Sequence, residues 1–131
     1  MSEETNREDA AEWLRLADLD LRAGEKALAG DDPLPGDACF HAQQAAEKFL
    51  KAFLVSQGTH PRRTHDLELL LEECAEFEPD FRSLAAVAET LTPFAIETRY
   101  PVGSPEYSYD EAREALSLAA KIGAFVRPRL R

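Results

Sequence analysis

The stretch Cys39–Gly58, CFHAQQAAEKFLKAFLVSQG, constrains the fold more than any other part of the chain. Ala42, Ala45, Ala46, Phe49, Leu50, Phe53 and Leu54 recur at three- and four-residue spacing, which predicts one long helix with a wide apolar face. Alanines lead and phenylalanines follow, so the first half can approach another helix closely while the second fills a thicker core. A second row, His41, Gln44, Lys48 and Lys51, shares another face and is polar and partly cationic. Gly58 is the expected left-handed C-terminal stop, and Asp37 the expected N-cap.

The remaining segments read as partners for this helix. Residues 1–7 are polar and are expected to form a disordered tail before a single domain spanning 8–131. A first helix is predicted from about Glu8 to Ala29, with Ala10, Leu14, Ala17, Leu21, Gly24 and Leu28 as its stripe and Trp13 and Leu16 widening it. Gly30–Gly36 is a break rich in Asp, Pro and Gly. A third helix is predicted from near His65 with Leu67, Leu70, Leu71 and Cys74 inward. A fourth runs from about Asp80 to Thr92 with Phe81, Leu84, Ala88 and Leu91 inward, and Pro93 ends or kinks it. Glu97–Tyr107 is the longest predicted loop. Ser108 and Glu111 form a capping box that opens a last helix, striped by Ala112, Ala115, Leu116, Ala119, Ile122 and Val126 and stopped by Pro128. No segment alternates with period two. The expected class is all-α, an antiparallel up-and-down bundle of about five helices.

A net charge of −10 argues against coating the whole surface with nucleic-acid phosphates, though a local basic site survives that argument. Cys39 and Cys74 lie in no CxxC motif and read as small core residues of a reduced protein. The N-terminal residues lack the basic and apolar regions of a signal peptide, and no apolar run reaches membrane-spanning length. A cytoplasmic protein without a membrane partner is expected.

HAQQAAEKFLKAFL with Gly58, then Thr64-His65-Asp66-Leu67, then Arg99-Tyr100-Pro101 before the last helix resembles the HEPN domain family across about Glu8 to Pro128. The resemblance implies a helical bundle that dimerises. It also implies, for small prokaryotic members, pairing with a minimal nucleotidyltransferase as a toxin–antitoxin-like module, and in some members nucleotide binding. Other members are metal-independent ribonucleases with an Arg-x4–6-His motif. Here His41 is preceded at that spacing by Leu34, Pro35 and Gly36, His60 by Phe53, Leu54 and Val55, and His65 by Gly58, Thr59 and His60. None is Arg, and no His follows Arg99.

The candidate site residues are therefore binding residues. Arg99 offers a planar fork for phosphate or carboxylate, Tyr100 a ring for stacking, and Pro101 a fixed turn; the alternative is a purely structural turn. Lys48 and Lys51 are expected to form a local anion site with His41 and Gln44, or else a solvated helix face in which Glu47 and Lys51 make a stabilising pair. His65 reads as a cap or packing residue that can join the site. Cys39-x-His41 supplies two metal ligands at most, and no glycine-rich phosphate loop is present, so neither metal nor cofactor is expected. The expected function is a non-catalytic nucleotide-, RNA- or partner-binding component of a nucleotidyltransferase pair. The alternatives are a divergent ribonuclease and a purely structural homodimer. A homodimer is expected in each case, because the long helix carries more apolar surface than one side of a small bundle needs.

Overall fold

Ser2 caps the first helix: its hydroxyl accepts from the Thr5 amide at 3.1 Å, and Glu3 and Glu4 place negative charge on the first turn of α1 (Glu3–Leu28). The helix thus starts at Glu3 rather than Glu8. The residues from Glu3 onward that were expected as a tail form its opening turns, and Asn6 among them is buried. The computed structural model describes residues 2–95 and 106–130. α1 ends before Gly30, whose φ of +85° turns the chain back.

α2 spans Pro35–Ser56. Its N-cap is Leu34, which makes no side-chain cap bond, and Asp37 lies inside the first turn instead of at the cap. Pro35 accounts for the shift: proline at the first helical position has no amide proton to satisfy and a φ already suited to the helix. At the other end the Gly58 amide donates to the Val55 carbonyl at 2.9 Å and the Thr59 amide to Leu54 at 3.0 Å, with Gly58 at φ +87°. That is a Schellman closure, the stop expected at Gly58.

α3 (Leu67–Phe77) starts two residues after His65, because Asp66 is its cap and accepts from the Glu68 and Leu69 amides at 3.0 and 3.2 Å. The predicted fourth helix is three pieces: a 3₁₀ turn Pro79–Leu84, α4 (Ala85–Leu91) and a 3₁₀ turn Thr92–Ala95. Proline opens the first turn and sits inside the last, removing amide donors where an α-helix would need them. Its expected inner residues Phe81, Leu84, Ala88 and Leu91 are nonetheless all buried. α5 (Tyr109–Val126) carries the capping box, with Glu111 amide to Ser108 hydroxyl and Ser108 amide to Glu111 carboxylate both at 3.0 Å.

The helices form an antiparallel bundle around α2, which packs against α1, α3, α5 and the Thr92–Ala95 turn. From Ala38 to Ser56 every residue is buried except Phe40, His41, Gln44 and Lys48. Ala38, Ala42, Ala45 and Ala46 occupy the narrow end. Phe49 and Phe53 occupy the wide end, where Phe53 and Phe81 have centroids 4.5 Å apart and Phe81 and Phe125 4.9 Å. The apolar surface that suggested a dimer interface on α2 is thus covered by its own chain. Among the described residues there is no strand, and no helix is long and apolar enough to cross a membrane.

Candidate functional site

Between Ala38 and Ser56 the four accessible positions of α2 include three of the predicted row: His41, Gln44 and Lys48. Asp20 of α1 meets two of them, His41 and Lys48. His41 Nδ1 lies 2.9 Å from Asp20 Oδ1, and the Lys48 ammonium donates to Oδ2 of the same carboxylate. Asp20 is mostly covered while His41 and Lys48 remain partly open, so one half-buried carboxylate orients an imidazole and an ammonium side by side. The Phe40 ring stands edge-on to His41 at 5.8 Å.

Lys51, the fourth member of the row, is buried, and so is Glu47. Its ammonium donates to Glu47 Oε2 at 2.8 Å and lies 5.5 Å from the Trp13 ring centroid on α1. The other Glu47 oxygen lies 2.6 Å from Nδ1 of His65, whose ring is largely exposed. His65 is also held through its backbone, since the fully buried Gln43 donates to its carbonyl at 2.9 Å. Gln44 in turn donates to Gln43 Oε1 at 3.1 Å. A continuous polar path therefore runs from Gln44 through Gln43, His65 and Glu47 to Lys51. It fastens the segment before α3 to the central helix.

This arrangement revises the expected anion site. Each lysine has its own carboxylate, so Lys48 and Lys51 are not a free cationic pair, and Lys51 is not a surface residue. His65 is a fastening residue one position before the α3 cap. Arg99, Tyr100 and Pro101 lie outside the described residues. Sequence reasoning missed Asp20, Gln43 and Trp13 as members of the network. Glu47 was visible only as half of a helix pair. The available signal was polar side chains at positions 43 and 47, between buried alanines and phenylalanines.

Cys39 and Cys74 are free and buried; burial pushes the Cys39 thiol up to about 11 and the Cys74 thiol higher, so neither is a ready thiolate. Among the described residues no three His, Cys, Asp or Glu side chains are grouped to hold a metal ion.

A family model for the HEPN domain matches residues 10–129. The crystal structure of TT1696 from Thermus thermophilus is similar over 92% of this chain and 98% of that one, at 38% identity and a TM-score of 0.80. That of ST0689, an archaeal HEPN homologue, is similar over 93% and 98%, at 27% identity and a TM-score of 0.74. No curated protein matches.

Proposed function

This chain belongs to the HEPN-domain family, and from that premise we propose that it is a non-catalytic binding component of a cytoplasmic pair with a minimal nucleotidyltransferase. In this reading it is a homodimer that accepts a nucleotide or RNA phosphate. The observation that carries the reading is that no histidine has an arginine at the Arg-x4–6-His spacing. Without that pair the acid–base step at a scissile phosphate lacks its usual donor and base. The accessible edge of α2 still presents donors, the remaining N–H groups of Gln44 and Lys48, with His41 beside them, and Arg99 and Tyr100 are the further candidates for the anion. In this reading the homodimer pairs through surfaces other than the covered face of α2.

The test uses the full chain alone and together with a minimal nucleotidyltransferase. The expected result is a dimer by light scattering, a stable complex with the partner, and no cleavage of single-stranded RNA. Robust cleavage by the chain alone, lost in Arg99→Ala, overturns the reading.

One observation favours the ribonuclease alternative: Asp20 holds Nδ1 of His41 at 2.9 Å. With its proton on Nδ1, the ring turns Nε2 outward as a base, beside the Lys48 ammonium. Cleavage that survives Arg99→Ala but is lost in His41→Gln selects that alternative.

A further inference from the structure

We infer that the groove between the first half of α1 and the chain following α2 is a docking site for a basic peptide segment of another protein. The inference does not rest on the nucleotidyltransferase pairing and uses different residues from the α2 edge.

The groove encloses about 320 Å³. Its apolar walls are Trp13 and Leu16 of α1, Val55 near the end of α2 and Pro61 from the loop beyond it, and Thr59 and His60 of that loop are polar members of the lining. Asp9 and Glu12, both exposed and one turn apart on α1, add carboxylates. Thus an indole and two carboxylates face one cleft, the combination that suits a guanidinium or ammonium carried on an apolar stem.

Three observations choose the occupant. Asp9 makes no ion pair among the described residues. Glu12 is forked by Arg15 at 2.6 and 3.0 Å, but both side chains are more than half exposed, and such a pair is weak enough for an incoming arginine to share the carboxylate. Finally, the whole chain carries −10. That charge favours a basic segment at the two carboxylates of the groove. Arginine anchored in an apolar, aromatic-lined pocket is also the commonest kind of interface hot spot besides the aromatics themselves.

The experiment pans a random peptide library on the immobilised full-length chain. A recovered peptide is then titrated while the fluorescence of Trp13, the chain's single tryptophan, is followed. The expected result is recovery of peptides with Arg or Lys beside apolar residues and a saturable change in Trp13 emission. Binding should weaken by about fivefold or more in Asp9→Asn/Glu12→Gln. Raised salt should weaken it too. Both substitutions are at exposed positions, so unchanged thermal unfolding verifies that the variant is folded. Recovery of peptides without basic residues, or equal affinity for wild type and variant, overturns the inference. So does a Trp13 response to single-stranded RNA that exceeds the response to the peptide.

Discussion

Glu47 divides one buried carboxylate between Lys51 and His65, and it is the residue on which most of the polar network depends. Removing one partner of a buried pair leaves the other charge without compensation, at a cost of about 3–5 kcal/mol. Glu47→Ala is therefore expected to lower stability in urea unfolding by about that amount. The double variant Glu47→Leu/Lys51→Met should recover most of the loss, because apolar replacement of both members removes the stranded charge. A double variant no more stable than Glu47→Ala would show that the network stabilises through His65 and Gln43 instead. The spacing of Glu47 and Lys51 on one helix turn was legible in the sequence. Their burial was not, because it depends on Trp13 of another helix and on His65 of a loop. Asp20 was hidden for the same reason: it lies 21 residues before His41, and no periodicity within one helix relates it to the next.

At the scale of the elements, apolar stripes located every helix, whereas the ends followed local chemistry the stripes do not encode. Ser2 extended α1 backward, Pro35 displaced the expected cap, and two prolines divided the fourth helix into 3₁₀ and α pieces. The contacts between helices add a finer constraint. A Cβ built on Gly123 of α5 would come within 2.7 Å of the Phe49 ring, while one on Gly24 of α1 would meet the tip of Leu116 at 2.5 Å. A leucine methyl can rotate away more readily than an aromatic ring in a filled core can move. Gly123→Ala is accordingly expected to cost about 1–3 kcal/mol, the range for overpacking, and Gly24→Ala less. Thermal unfolding of the two variants side by side checks the order, and a larger loss at Gly24 would contradict this account of α2–α5 packing.

For the whole molecule, the class and the helix order were legible because a helical stripe is a local signal. What the stripes could not reveal was how the helices share their faces. The apolar excess of α2 pointed to a second chain, yet α1, α3, α5 and the Thr92–Ala95 turn cover it from within. Encirclement also has a consequence for time. A helix with neighbours on nearly every side cannot release its amide protons by swinging away from one of them. α2 should therefore exchange with solvent deuterium only when the entire chain opens, from about Ala42 to Leu54, whereas the short turns at Pro79–Leu84 and Thr92–Ala95 should exchange through smaller excursions. Native-state hydrogen exchange across a denaturant series would resolve the two classes. If α1 outlasted α2, the innermost helix would not be the last to let go.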